Sequence, residues 1–140
     1  MKQQKDIVKK VLNYIEDNIE KEINVDKIAK SVCYSKFYLN RIFSKCTGIT
    51  IYKYLQSRRL TIAAEKLIKT NEPIIQIAYK AGYDSQQAFS FAFKQLYLYP
   101  PQIYRNLGVF VPKQNRISLC GNFYHTKYTL FVSEFKEIAA

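Results

Sequence analysis

Apolar residues recur at helical spacing along most of the chain up to residue 105. In residues 7–19 they fall three and four positions apart with charges between them, which predicts an amphipathic helix. Asn24, Ser35 and Ser85 each precede a later apolar segment, and these are residue types that cap helix N-termini. A longer apolar segment covers residues 51–68. The pattern predicts an all-α fold.

Glycine and proline residues mark where these helices should end or begin. The helix that starts at Ser35 is expected to end near Gly48, and the helix that Pro73 opens is expected to end near Gly82. The helix capped at Asp84-Ser85 should continue to about residue 96, before Pro100-Pro101 opens a short final turn.

The chain contains an internal repeat. Residues 28–34 align with residues 77–83 at an offset of 49, and after a one-residue insertion the capping serines align at an offset of 50. Each copy predicts a short helix, a tight turn and a longer helix, which is the helix-turn-helix motif. The turn needs a backbone with φ > 0 at Gly82, and Cys33 is a less comfortable residue at the matching position.

The repeat predicts how the chain is organised. We expect a first helix-turn-helix over about 25–47, a connector helix over about 51–68, and a second helix-turn-helix over about 74–97. About 17 helical residues span roughly 26 Å, while successive major grooves on one face of DNA lie roughly 34 Å apart. The connector is therefore of the right order of length for a single chain to enter two grooves.

The net charge is concentrated in one stretch. The 140 residues include 22 Lys or Arg and 11 Asp or Glu, a formal charge of +11. Residues 27–70 carry +9 of it, and no acid lies between Asp26 and Glu65. Such an excess favours nucleic acid or an anionic membrane surface as partner, although it also serves plain solubility. Because the positive charge is confined to one stretch, we expect that stretch to form a binding face.

Several other classes fit the sequence poorly. No run of about 18 apolar residues could span a bilayer, and the Lys-rich N-terminus does not resemble a secretory signal. Three cysteines without a C-x-x-C pair favour free thiols and a cytoplasmic location. His125 is the one histidine, and the four glycines form no phosphate loop, so we expect no metal, no cofactor and no enzyme activity.

The second helix of each motif, the recognition helix, should pack one face on its own core and present the other to the major groove. Arginine can fork onto guanine, Asn and Gln onto adenine, and an aromatic ring can meet a thymine methyl group. The candidates for base contacts are Phe37, Asn40, Arg41, Gln86, Gln87, Ser90 and Phe91. The candidates for phosphate contacts are Lys36, Lys45, Lys53, Arg58 and Lys94.

Two alternatives stay open at these positions. Phe37 and Phe91 are residue types that pack in cores as well as meeting bases. Arg59, a basic residue of the connector, is either a contact to DNA or an ion-pair partner inside the connector.

Spaced motifs across about residues 5–105 resemble the DNA-binding domain of AraC-type transcription activators, most closely the short MarA/SoxS/Rob subgroup. The motifs are S-K-F-Y-L-N-R-I-F (35–43), T-G (47–48), S-R-R-L-T-x-A-A-x-K-L (57–67), P-I-x-x-I-A (73–78), G-Y-D-S-Q-Q-A-F (82–89) and P-x-x-Y-R (101–105). The resemblance implies seven helices, two helix-turn-helix units joined by one long helix, a monomer that enters two adjacent major grooves of double-stranded DNA, and recruitment of RNA polymerase. It also implies a bacterial regulator of genes for stress or antibiotic resistance.

The chain departs from the subgroup at some of these positions. The subgroup usually has Trp and Gln where this chain has Phe37 and Asn40. In the second helix it typically has Thr at Ala88 and Ser90 and Arg at Phe91. Loss of that Arg predicts weaker or shifted readout by the second unit, so the subgroup's DNA consensus is not carried over.

Residues 106–140 lie outside the resemblance. The segment is β-branched and aromatic, and Gly121-Asn122 predicts a hairpin turn. Its 35 residues are too few for an effector-binding domain. A short hairpin or a frayed tail is expected, with a partner or dimer contact as the alternative.

Three functions compete on the sequence alone. The leading hypothesis is an activator that binds DNA as a monomer. It has no cofactor and no membrane partner. The others are a repressor or architectural DNA-binding protein without activation, and an effector- or partner-binding module that uses the tail.

Overall fold

The computed structural model describes residues 2–119, which form seven α-helices and contain no strand. The helices are α1 (Lys2–Asp17), α2 (Val25–Val32), α3 (Lys36–Thr47), α4 (Ile51–Lys69), α5 (Ile74–Lys80), α6 (Gln86–Tyr97) and α7 (Pro101–Leu107). The predicted all-α fold, with two helix-turn-helix motifs joined in the chain by a long helix, is confirmed. Within residues 2–119 no helix is both long and apolar enough to cross a membrane.

The described residues fall into two compact units, and the division lies within α4. Unit 1 comprises residues 2–55 and 116–119, and unit 2 comprises residues 56–115. Each unit contains one helix-turn-helix, α2–α3 in unit 1 and α5–α6 in unit 2.

Unit 1 buries the apolar stripe of α1 against α2, α3 and the first turns of α4. The stripe predicted from the sequence contributes Val8, Val11 and Ile15, all fully buried. Phe43 of α3 packs on Tyr54 of α4 with ring centroids 5.8 Å apart. The core therefore fixes which face of α3 is turned inward.

Unit 2 has an aromatic core. Phe93 of α6 stacks on Tyr97 at a centroid distance of 4.8 Å and meets Tyr104 of α7 edge-on at 5.4 Å. Phe89 joins the same series at 5.6 Å from Phe93. Such aromatic pairs add about 0.5–1.5 kcal/mol each beyond the area they bury, so α6 and α7 are held in one geometry.

Arg105 explains the P-x-x-Y-R motif structurally. Its Nε donates to the carbonyl oxygen of Leu67 at 2.8 Å, and its Nη2 donates to that of Glu72 at 2.7 Å. The last carbonyls of a helix lack intrahelical donors. Arg105 thus satisfies the Leu67 carbonyl at the C-terminal end of α4 and the Glu72 carbonyl in the loop that follows, and ties α7 to both.

The structure differs from the sequence prediction in detail. The first helix begins at Lys2 rather than near residue 7, because polar residues extend it beyond its apolar stripe. Leu98 ends α6 with φ 70°, a left-handed conformation. The sequence did not predict it, because the residue at this position is not a glycine. Residues 108–119 form neither helix nor strand, and the predicted hairpin at residues 121–122 lies outside the described residues.

Gly82 and Gly108 offer a matched pair of substitutions, because both have positive φ, 88° and 72°. A Cβ at Gly82 would lie 2.6 Å from Nη1 of Arg59, whereas a Cβ at Gly108 would meet nothing within 4 Å. We expect Gly108→Ala to cost about 1 kcal/mol of backbone strain, and Gly82→Ala to cost about 1 kcal/mol more because half-buried Arg59 must move. Urea unfolding measures both, and equal losses would show that Arg59 moves aside freely.

Candidate nucleic-acid interface

The α2–α3 turn of unit 1 places α3 by backbone hydrogen bonds. Cys33 has φ 62°, the left-handed conformation that the repeat predicted there. The amide of Tyr34 donates to the carbonyl of Ala29 at 3.3 Å, which closes the C-terminal end of α2. Ser35 Oγ then accepts from the amide of Tyr38 at 3.2 Å, so the predicted N-cap of α3 is present.

One face of α3 is buried and the other is open. Leu39, Ile42 and Phe43 are almost completely inaccessible to solvent. Phe37 is 81% exposed, which decides between its two interpretations: its ring is not part of the core of unit 1. Arg41 is exposed on the same helix. The open face of α3 therefore carries an aromatic ring and a guanidinium.

Two cations of this face, Arg41 and Lys36, lie next to aromatic rings. The guanidinium carbon of Arg41 lies 5.6 Å from the ring centroid of Tyr38, whose ring lies 5.4 Å from that of Tyr34. Lys36 Nζ lies 5.9 Å from the Phe37 ring and 3.5 Å from a carboxylate oxygen of Asp26. An exposed ion pair contributes only about 0–1 kcal/mol, so Lys36 can exchange Asp26 for another anion at little cost.

Tyr38 is a site residue that the sequence interpretation missed. It stands three positions before Arg41, and side chains at that spacing are neighbours on a helix. The spacing was thus a usable signal, although it does not say that the guanidinium lies against the ring.

Asn40 has a second role that the sequence pattern did not predict. Its side chain is half-buried, and its Oδ1 accepts from the amide of Ile51 at 3.4 Å, which is the first residue of α4. This bond fixes the amide plane and leaves the Nδ2 hydrogens as donors. Asn40 therefore links the recognition helix to the start of α4.

The α5–α6 turn repeats this construction in unit 2. Gly82 has the predicted positive φ, and the amide of Tyr83 donates to the carbonyl of Ala78 at 3.1 Å. Ser85 Oγ accepts from the amide of Ala88 at 3.1 Å and caps α6. Arg59 of α4 lies against Gly82, where burial lowers the pKa of its guanidinium and the nearby Tyr83 opposes that shift.

The open face of α6 has no cation until Lys94. Gln86, Gln87 and Lys94 are exposed, and Ser90 is half-buried. Phe91 is 70% exposed, so it too lies outside the core. Amides and one aromatic ring thus dominate this face.

The remaining phosphate candidates fall into two groups. Lys45 and Lys53 are exposed. Arg58 is half-buried in unit 2, where its Nη1 donates to the carbonyl of Gln114 at 3.1 Å. Since Arg58 is engaged within the protein, Lys45 and Lys53 are the more accessible charges.

The described residues provide no metal-ligand cluster beside these faces. Among residues 2–119 no group of three or more His, Cys, Asp or Glu side chains is placed to hold a metal ion. Cys33 is an exposed free thiol, and Cys46 is a half-buried one. Both open faces instead combine hydrogen-bond donors with one exposed phenylalanine.

Comparison with known proteins matches the sequence that builds these motifs to a family. A family model described as a helix-turn-helix domain matches residues 28–107. The chain is 40% identical over 95 residues to the multiple antibiotic resistance protein MarA of Escherichia coli K12, across 68% of this chain and 75% of MarA. It is also 40% identical over 100 residues to the regulatory protein SoxS of the same organism, across 71% of this chain and 94% of SoxS.

The fold has counterparts among solved structures. The C-terminal domain of AraT, a response regulator from Geobacillus stearothermophilus, superposes with a TM-score of 0.69 at 30% identity. The alignment covers 86% of this chain and 95% of that domain.

Two substitutions test the bond between Asn40 and the first residue of α4. Asn40→Ala removes the acceptor for the Ile51 amide, and we expect it to lower the free energy of unfolding by about 0.5–1 kcal/mol. Asn40→Asp keeps an acceptor at the same place and should leave stability within about 0.5 kcal/mol of the wild type. Urea unfolding tests this, and an Asp variant as unstable as the Ala variant would show that the bond does not stabilise α4.

Proposed function

The chain belongs to the AraC-type helix-turn-helix family of DNA-binding transcription regulators, in the short subgroup of MarA and SoxS, and we propose that it reads duplex DNA with α3 and α6. The observation that carries this proposal is the repeated construction of the two motifs. In each, a serine caps a helix that buries one stripe in a core and leaves a face of polar and aromatic side chains open.

In unit 1 we assign the base contacts to Phe37, Asn40 and Arg41. The guanidinium of Arg41 suits the two acceptors of guanine, and the free Nδ2 of Asn40 suits an acceptor on adenine. The ring of Phe37 suits a thymine methyl group. Lys36, Lys45 and Lys53 suit phosphates, which set register rather than sequence.

In unit 2 we assign the base contacts to Gln86, Gln87, Ser90 and Phe91, with Lys94 on a phosphate. Glutamine amides suit adenine. The single cation on this face predicts that unit 2 contributes little of the electrostatic affinity. Its contribution is then chiefly to selectivity.

The proposed binding mode is a monomer on an asymmetric site. The two motifs differ in sequence, so they should read different half-sites in two adjacent major grooves, with the connector α4 between them. We place the DNA-binding domain at about residues 5–105, the first motif at about 25–47, the connector at about 51–68 and the second motif at about 74–97.

The regulated genes are inferred from the relatives. MarA is by name a multiple antibiotic resistance protein, and it shares 40% identity with this chain. We propose that this chain activates genes for stress or antibiotic resistance in the bacterial cytoplasm and recruits RNA polymerase to them. The alternatives are a repressor or architectural protein that binds without activation, and a partner-binding module that uses residues 106–140.

Three experiments decide among these functions. Selection of bound sequences from random DNA should yield one asymmetric consensus, and recovery of no preferred sequence would reject specific binding. Transcription in vitro with purified RNA polymerase on that consensus should then be stimulated. Binding without stimulation would favour the repressor or architectural role, and deletion of residues 120–140 with unchanged stimulation would remove that segment from a partner-binding role.

Arg41→Ala tests the readout by unit 1. We expect it to cost roughly 1–3 kcal/mol of binding and to relax specificity at one base pair. The control is Lys45→Ala, which should weaken all sequences alike and lower the salt slope by about one. Competition binding at several salt concentrations measures both. A uniform loss for Arg41→Ala would make Arg41 a phosphate contact.

Phe91→Arg tests the departure from the subgroup in unit 2. Because Phe91 is exposed, the change should leave the fold intact and add a cation to a face with few. We expect tighter binding with a steeper salt dependence, by about one additional counterion. Unchanged affinity and slope would place residue 91 away from the DNA.

A further inference from the structure

The segment that follows α7 is packed into unit 2 although it lies beyond the family match, which ends at residue 107. Phe110 packs against the core of unit 2, and Gln114 is only 3% exposed. Residues 110–114, named the strap below, are thus part of the packed structure of this unit.

The strap is hydrogen-bonded to α6 and α7 at one residue. The hydroxyl of Tyr97, the last residue of α6, donates to the carbonyl of Val111 at 2.9 Å. The amide of Val111 in turn donates to the hydroxyl of Tyr104 in α7 at 3.0 Å. Both polar groups of the Val111 backbone are therefore satisfied by buried tyrosines.

The strap is bonded to α4 at its other end. The amide of Gln114 donates to the hydroxyl of Thr61 at 2.9 Å, and the carbonyl of Gln114 accepts from Arg58 at 3.1 Å. Thr61 is only 2% exposed, so no water replaces this partner freely. The strap thus joins the C-terminal end of α6 to the middle of α4.

The two ends are connected through hydroxyl groups. The Thr61 hydroxyl also hydrogen-bonds the Tyr97 hydroxyl, so a chain runs from the Gln114 amide through Thr61 and Tyr97 to the Val111 carbonyl. Burial raises the pKa of Tyr97, so its hydroxyl, which is protonated at neutral pH in any case, stays a donor in alkaline solution as well. Removing one member of a buried chain leaves its neighbours unsatisfied, which costs more than the bond itself contributes.

We propose that the strap positions the second recognition helix, so that DNA readout by unit 2 depends on residues 110–114. The effect on DNA readout rests on the proposed function, whereas the effect of the strap on α6 does not. Tyr97, Thr61 and Val111 are then positioning residues, which act on the DNA through the orientation of α6. The strap contributes to specificity without contacting a base.

The test uses the full chain with Tyr97→Phe and Thr61→Val, each of which removes one hydroxyl. The control is Tyr99→Phe, which makes the same chemical change at an exposed tyrosine for which residues 2–119 provide no hydrogen-bond partner. Hydrogen exchange measured without DNA should show the amides of α6 exchanging about tenfold faster in both variants. The amides of α2 and α3 should exchange as in the wild type, and Tyr99→Phe should change neither motif.

Footprinting on the selected DNA then reports the consequence for binding. Both variants should lose protection of the half-site read by α6, keep that read by α3, and bind about tenfold more weakly. Unchanged exchange in α6 for both variants would overturn the proposal, as would equal acceleration in α2 and α3, which indicates general destabilisation. If exchange in α6 accelerates but wild-type DNA binding shows no sequence preference, the strap stands and the proposed DNA readout fails.

Discussion

Each helix-turn-helix motif depends on one contact, a buried phenylalanine of the recognition helix packed on a buried tyrosine eleven residues later. In unit 1 Phe43 meets Tyr54 at 5.8 Å, and in unit 2 Phe93 meets Tyr104 at 5.4 Å. All four rings are buried, so rotating either helix about its axis would expose an aromatic ring. The contact therefore fixes which residues face outward.

The sequence predicted those features of the fold that depend on residues close together in the chain. Serine caps, the glycine turn at Gly82 and the apolar stripes were predictable, because each depends on residues within one or two helical turns. The left-handed Leu98, the bond from Asn40 to Ile51 and the burial of Gln114 were not. The bond from Asn40 to Ile51 and the burial of Gln114 depend on contacts between residues distant in the sequence. Leu98 is exposed and adopts a conformation that its residue type does not favour. For the candidate site, the pattern predicted the outward faces of α3 and α6 but not that Arg58 is engaged by the strap.

The two motifs share a framework but differ in electrostatics. The helix-turn-helix of unit 1 carries exposed cations at Lys27, Lys30, Lys36, Arg41 and Lys45, whereas that of unit 2 carries them at Lys80 and Lys94. Binding driven by phosphate contacts is nonspecific and sensitive to salt, whereas amides and aromatic rings distinguish bases. Unit 1 is thus suited to affinity and unit 2 to selectivity, which makes the exact placement of α6 more consequential than its charge. The strap acts on that placement.

Protection of guanine N7 from methylation, on the DNA that the chain selects, is the most direct measure of whether both recognition helices enter the major groove. N7 lies in the major groove, so insertion of α3 and α6 should protect two clusters of guanines centred about one helical turn, or about 10 base pairs, apart. Arg41→Ala should remove protection within one cluster only. A single cluster, or protection of the minor groove with N7 left reactive, would contradict readout by two recognition helices.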